Sequence, residues 1–302
     1  MEITASLVKE LRERSGAGMM ECKKALTENQ GNIENAADWL RTQGLAKADK
    51  KATRVAAEGR VALAQANGNA LLVELNCETD FVAKDESFIK FCGDVAKAAA
   101  AIGSADVEAI KAASLGEGQT VDSVRQALVA KIGENVQVRR ASMVSGNNVG
   151  AYVHSNNKLG VLVALEGGTP ELAKGIAMHI AAMNPLYLNM TQVPADVVTR
   201  ERNIAMEQSK DSGKPPEILE KMIQGKIRKT LAEQTLIGQA YAAPDANGVS
   251  VEEALKKAGA SVTSFVRINV GEGIEKKEEN FAEEVMKQVK ASAAKPDDNK
   301  PN

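Results

Sequence analysis

The sequence predicts an α+β protein: a small three-helix bundle, then a core of antiparallel sheet plus helices that occurs twice, with a helical hairpin inserted into the second copy. Three observations carry that expectation. Apolar residues recur at helical spacing in three short segments within residues 1–44. Strand-like runs flank turn residues at 60–77 and again at 149–165, and each pair is followed by helices and a closing strand. Residues 184–231 hold two further helical patterns with no counterpart in the first copy.

Composition narrows the class. A length of 302 residues suggests about two domains. An apolar content of 44% beside 26% charged residues describes a folded globular chain rather than a disordered one. The formal charge of -2 gives no overall attraction for nucleic acid, so direct nucleic-acid binding is not expected. Cys22, Cys77 and Cys92 are odd in number and lack metal-ligand spacing, which fits free, mostly buried thiols in a reducing compartment. The N-terminus has no signal-peptide pattern and no window approaches a membrane span, so a cytoplasmic location is expected.

In the first domain, 1–54, Thr4 is placed to cap a helix with Leu7, Val8 and Leu11 on its apolar face, and Ser15-Gly16-Ala17-Gly18 breaks it. A second helix covers about 19–27, with Met20, Lys23, Lys24 and Leu26. A third starts after Gly31-Asn32, carries Ile33, Ala36, Ala37 and Leu40, and is expected to end at Gly44. Trp39 lies about one position off that face. Residues 45–58, rich in Ala and Lys, read as a solvated linker, with a helical form left open. A nucleic-acid arm is the alternative, but no aromatic is interleaved for base stacking.

The first core copy spans 55–145. Strands at 60–66 and 69–77 flank Asn67-Gly68, a hairpin signal. A helix from about Ser87 aligns Phe88, Phe91, Cys92, Val95 and Ala99; a second covers 121–132 and stops at Gly133; a strand at 136–144 closes the unit. The second copy takes 146–183 and 232–274. Its strands are at 149–154 and 159–165, and a helix from Pro170 has Leu172, Ile176, His179, Ile180 and Met183 on one face. A helix with Val251, Ala254, Leu255 and Ala258 stops at Gly259, and a strand follows at 262–270. Val136 and Val262 each lie three residues past the helix-ending glycine. The insertion, 184–231, reads as helices at 194–210 and 216–231 joined by Asp211-Ser212-Gly213-Lys214-Pro215-Pro216; such a hairpin projects from the body or pairs with another chain. Over 275–302 a helix with Phe281, Val285 and Val289 and then a disordered tail are expected.

One stretch breaks the repetition. Residues 74–84, ELNCETDFVAK, begin as a strand and turn into an acidic loop carrying Phe81, in a chain with only nine aromatics (one Trp, three Tyr, five Phe). Leu75 to Phe88 is 13 positions, whereas Leu165 to Leu172 is seven, so the first copy holds six extra residues at the Thr79-Asp80-Phe81 turn. Residues that the repeated unit does without point to binding. Phe81 is either a plug for the first core or a wedge for a partner.

The motifs of covalent chemistry are missing: no GxxxxGK[ST], no GxGxxG opening a helix after a strand, no HExxH and no GxSxG. His154 lies beside the Ser155-Asn156-Asn157 turn, and His179 reads as a core histidine; neither has a Cys or Ser partner visible in sequence. Asp85 and Glu86 read as a helix start. Neither an enzyme nor a cofactor is expected.

Residues 74–84, and 11–26 (LRERSGAGMMECKKAL), resemble two signatures of the bacterial elongation factor Ts family. The resemblance runs on through the repeated core, Ser212-Gly213-Lys214-Pro215 of the hairpin and VGEGIEK at 270–276. Ser15 stands where the family usually has Thr, and the hydroxyl is kept. The resemblance implies a guanine-nucleotide exchange factor for elongation factor Tu, bound in its GDP and nucleotide-free forms. It implies that the first three helices are similar to ubiquitin-associated domains and grip the partner's nucleotide-binding domain, with Met19, Met20 and Lys23 as contacts. For both methionines, packing within the bundle is the alternative. It implies that Asp80 and Phe81, flanked by Thr79 and Val82, enter between helices of that domain and disturb its magnesium site and phosphate loop. His154 is expected near a second partner surface, and a homodimer through 184–231 is expected from members in which the hairpin serves dimerisation. An adaptor for ubiquitin-like proteins, the rival reading, leaves the repeated core unexplained.

Overall fold

In the computed structural model, which describes residues 3–66, 68–210, 213–243 and 248–275, the chain opens with helices α1 (Ala5–Ser15), α2 (Met19–Glu28) and α3 (Ile33–Lys51). The Thr4 hydroxyl accepts from the Leu7 amide, and Gly16 ends α1 in the left-handed region at φ 67°. Val8, Leu11, Cys22, Ala25, Leu26 and Ala36 bury a small core, with Trp39 half-buried against it.

The next elements are β1 (Glu58–Ala66), β2 (Asn69–Cys77), a 3-10 turn (Val82–Lys84), α4 (Glu86–Ile102), α5 (Val107–Ala112), β3 (Ser114–Gly116), β4 (Gln119–Thr120), α6 (Val121–Ile132) and β5 (Gln137–Ser145). β1, β2 and β5 form an antiparallel sheet in that order. Of the β1–β2 turn, Gly68 takes φ 76°, while Asn67 lies outside the described residues. Phe88, Phe91, Cys92, Val95 and Ala99 of α4 pack on Leu71, Val73, Leu75 and Cys77 of β2, the helical and strand periodicities meeting in one core.

α3 does not stop at Gly44. It runs on to Lys51 because Gly44, buried and outside the left-handed region, lies against Gln126 and Ala130 of α6; the missing side chain serves close helix approach instead of a cap. The expected linker is therefore helical over much of its length. Beyond it, the Asn135 side-chain amide donates to the carbonyls of Ala52 (3.4 Å) and Arg54 (2.8 Å).

β6 (Asn148–Val153), β7 (Leu159–Glu166), α7 (Pro170–Met183), a 3-10 turn (Met190–Gln192), α8 (Ala195–Glu207), α9 (Pro216–Gln234), α10 (Val251–Lys257) and β8 (Ser261–Asn269) follow. β6, β7 and β8 form a second antiparallel sheet in that order. The strand register shifts at Glu74/Leu75 in the first sheet and at Ala164/Leu165 in the second. Val161, Val163 and Leu165 meet Ala173, Ile176, Ala177 and Ile180 of α7, with Val251 and Leu255 of α10. The buried stripe of α7 is centred on small residues, and Met183, expected inside, is exposed. α8 and α9 pack together, with Arg202 paired to Glu220 (2.9 Å) and Lys226 donating to Ser209 (3.1 Å). Asp211 and Ser212 of the connecting turn, and 276–302 with the expected Phe281, Val285 and Val289 helix, lie outside the described residues.

The two sheets face each other through Val61, Leu72, Val144, Leu162, Ala164 and Ile268. Gly160 makes that approach possible, since a β-carbon there meets Val61 at 2.7 Å. At one end the layer turns ionic. Glu74 is fully buried and accepts from Arg139 (2.9 Å), Arg140 and the Gly271 amide (2.8 Å). Burial raises its pKa, but those donors together outweigh burial and hold the carboxyl below its ordinary range. Residues up to Glu272 form one compact unit; of the second, starting at Gly273, only 273–275 are described. Among the described residues no helix is long and apolar enough to cross a membrane.

Candidate functional site

The turn between β2 and α4 is built from its ends. Asp85 starts α4 by accepting from the amides of Ser87 (2.8 Å) and Phe88 (3.2 Å). Thr79 closes the loop from the other side: its carbonyl accepts from Ala83 (3.2 Å) and its hydroxyl from the Val82 amide (3.3 Å). Val82 and Ala83 are thereby turned into the first core, and Arg60 donates to the Ala83 carbonyl (3.2 Å).

Phe81 faces the other way. Its side chain is 81% exposed, although its backbone is unstrained at φ -64°, ψ -48°. Plug and solvent-facing aromatic, alternatives for one residue in the sequence, are divided between neighbours. Asp80 pairs with Lys84 at 2.7 Å, and that bond holds its carboxyl below the ordinary range.

The turn is fastened to the α6–β5 corner. Glu134 accepts from the amides of Glu78 (3.1 Å) and Thr79 (3.0 Å) and from the Thr79 hydroxyl (2.6 Å). Glu78 in turn accepts from the Asn135 amide (2.6 Å) and pairs with Arg54 (3.3 Å). Sequence reasoning missed Glu134; its signal is that Ala260 occupies the same place after the helix-ending glycine in the second half. Burial, and then the Glu134 charge, push the Cys77 thiol up to about 12, so Cys77 is a packing group that donates to the Thr79 carbonyl.

The other residues singled out lie elsewhere on the molecule. Met19 and Met20, at the start of α2, are 60% and 74% exposed and stay outside the bundle core; Lys23 is exposed as well. His154 is exposed beyond β6, its Nδ1 2.8 Å from the Tyr152 hydroxyl. His179 is buried. The Ala242 amide donates to its Nδ1 (3.1 Å), so the proton is on Nε2, which donates to Gln239 (2.9 Å). A cleft of about 610 Å³ opens between Lys24 and Trp39 on one side and Gln119 and Gln126 on the other, and neither the 79–82 turn nor Met19, Met20, Lys23 or His154 lines it. Among the described residues no three His, Cys, Asp or Glu side chains converge as a metal site. What the turn offers is a solvent-facing aromatic beside a carboxylate, on a base held by hydrogen bonds to Glu134.

A family model described as Elongation factor TS matches residues 78–272, from the base of this turn to the end of the second sheet. Elongation factor Ts of Xanthomonas euvesicatoria pv. vesicatoria (strain 85-10) is 60% identical over 292 residues, covering 96% of this chain and 99% of that protein. Elongation factor Ts of Xanthomonas campestris pv. campestris (strain B100) is 59% identical with the same coverage, and that of Xylella fastidiosa (strain 9a5c) 56%. With the likeness extending over nearly every element described, the chain belongs to the elongation factor Ts family.

Proposed function

We propose that this chain is a guanine-nucleotide exchange factor that binds elongation factor Tu and speeds GDP release by seating the Asp80–Phe81 turn near the partner's magnesium and phosphate site. The observation that carries this is Phe81, an unpartnered aromatic held out on a braced turn. Seating Phe81 in an apolar cleft gains about 1.5–3 kcal/mol from burial. Gained only in the nucleotide-releasing state, that energy shifts the partner toward it, and each 1.36 kcal/mol off the barrier gives roughly tenfold in rate. Coupling is reciprocal: the factor weakens nucleotide binding by the ratio in which nucleotide weakens factor binding. Acting in elongation, the chain works in the cytoplasm without a cofactor or covalent step.

The same reading assigns 1–54 to a ubiquitin-associated-like bundle gripping the nucleotide-binding domain through Met19, Met20 and Lys23; their exposure supports it. It takes 55–145 as one copy of a unit and 146–183 with 232–274 as the other. The shared strand order and matching register shift support that. It takes 184–231 as an insertion that pairs two copies of the chain, supported by exposed Ile204, Met206 and Ile218, and His154 as a contact to a second partner domain. Thr79 and Val82 act from within the turn as its closure and its anchor. The test is Asp80→Ala with Phe81→Ala: circular dichroism is expected to be unchanged while stopped-flow GDP release from elongation factor Tu slows at least about tenfold. Release at the unaltered rate sinks the proposal.

A further inference from the structure

We infer that Glu134 sets how the turn presents Phe81, as a positioning residue acting through Thr79; this rests on the exchange reading and deepens it. One carboxylate takes three hydrogen bonds: the Glu78 and Thr79 amides on Oε2 and the Thr79 hydroxyl on Oε1. Bonds to an ionised acceptor are the strong ones. Donating its proton to Glu134 points the lone pairs of the Thr79 hydroxyl toward the Val82 amide, so the bond that closes the turn depends on the carboxylate. From that closure follow both orientations: Val82 inward and Phe81 outward.

The bracket is fixed in its own right. Gly133 ends α6 at φ 89°, and its carbonyl accepts from Lys51 at the end of α3. The Asn135 amide donates to Glu78 and its side chain to the Arg54 carbonyl, so residues on both sides of Glu134 are tied down. In the second half the matching residue, Ala260, lies where a β-carbon on Gly168 meets it at 2.9 Å. A carboxylate stands at the corner where the chain makes its excursion, and a methyl where it does not. The Glu78 and Thr79 amides leave the strand ladder in that excursion, and an amide taken out of its ladder requires a new acceptor.

The full-length chain with GDP-loaded elongation factor Tu tests this. Glu134→Ala is expected to speed amide hydrogen exchange at Glu78, Thr79 and Val82, and to slow maximal GDP release, each about tenfold. Amides of β2 and α4 are expected to keep their protection. Glu134→Gln retains an oxygen for both amides but turns an NH2 toward the Thr79 hydroxyl, which can no longer donate there. It is expected to restore protection at Glu78 and Thr79 while Val82 stays fast-exchanging and release stays slowed. In a Phe81→Ala background, Glu134→Ala is expected to add nothing to the slowing. Unchanged exchange at those three amides overturns the role of Glu134. So does unchanged release by Glu134→Ala where Phe81→Ala slows it, with the exchange reading left standing. Unchanged release by Phe81→Ala removes the exchange reading instead, and the amide arm still decides whether Glu134 holds the turn.

Discussion

Residues 78–85 lead from β2 into α4, and residues 167–169 lead from β7 into α7; the two connections solve the same problem in opposite ways. The short one lays backbone on backbone. Gly167 and Gly168 take φ 72° and 69°, and a β-carbon on Gly167 meets the Gly259 carbonyl at 2.3 Å. The long one replaces that contact with side-chain acceptors at its start, Glu134 and Thr79, while at their ends the two agree, Asp85 capping α4 as Thr169 caps α7. Closely packed glycines leave no room to display a side chain. A loop held by hydrogen bonds at both ends is free to turn one side chain inward and the next outward.

The largest expected effect sets the two sheets against each other. At the register shift Glu74 stands in the first and Ala164 in the second. Glu74→Ala strips Arg139 and Arg140 of a buried partner and is expected to cost about 3 kcal/mol in urea unfolding. A loss under about 1 kcal/mol means that the arginines rehydrate and the ionic end of the layer is dispensable. Next comes the glycine connection. Gly167→Ala combines positive φ with a backbone clash and is expected to cost about 2–3 kcal/mol. Gly103→Ala, also at positive φ but in open space, is expected to cost about 1 kcal/mol. Equal losses at both show that the contact with Gly259 carries nothing.

Neighbouring residues sharpen the contrast further. Val82→Ala is expected to cost about 1–2 kcal/mol by opening the first core. Phe81→Ala is expected to stay within about 0.5 kcal/mol of the parent, while GDP release reverses that ranking. The smallest effect is in pH dependence. Burial pushes the His179 pKa below the ordinary imidazole range. The unfolded chain therefore takes up that proton first, so this stability is present above about pH 6.5 and declines as pH falls below it. Glu74, with its folded pKa also lowered, loses its contribution only as pH falls below about 4.3 toward that folded value. His179→Gln is expected to abolish the first decline in stability-versus-pH curves and leave the second.

Caps and periodicity are local, and the sequence disclosed what is local. Thr4, Gly16, Gly133 and the apolar run of β2 fix helix ends and strands within a residue or two. Gly44 misled because a C-cap rule weighs only neighbours in the chain, whereas its helix continues on contact with α6. The helix of Val107–Ala112 and the small β3–β4 hairpin are too short to show a period. Six extra residues marked the turn. The direction of Phe81 was not readable there, since the strand period ends with β2 at Cys77 and the deciding bond joins residues 55 positions apart. Glu134, a charged residue past a helix end, carries no pattern of its own.

The continuity of α3 changes how two contacts add. Its 19 residues span about 28 Å as a stiff rod, and beyond it residues 52 and 54 are bonded to the corner that holds the turn. A bundle and a turn joined by a loose tether search for their targets separately, each diluted by the volume the tether sweeps. On the proposed reading, in which both contact the partner, joining them by a rod makes them a divalent ligand whose second binding event starts at high effective concentration, provided the spacing matches. Inserting Gly-Ser between Lys51 and Ala52 parts the two contacts that α3 and residue 52 make with that corner, and is expected to lower apparent affinity by loosening the rod from the turn.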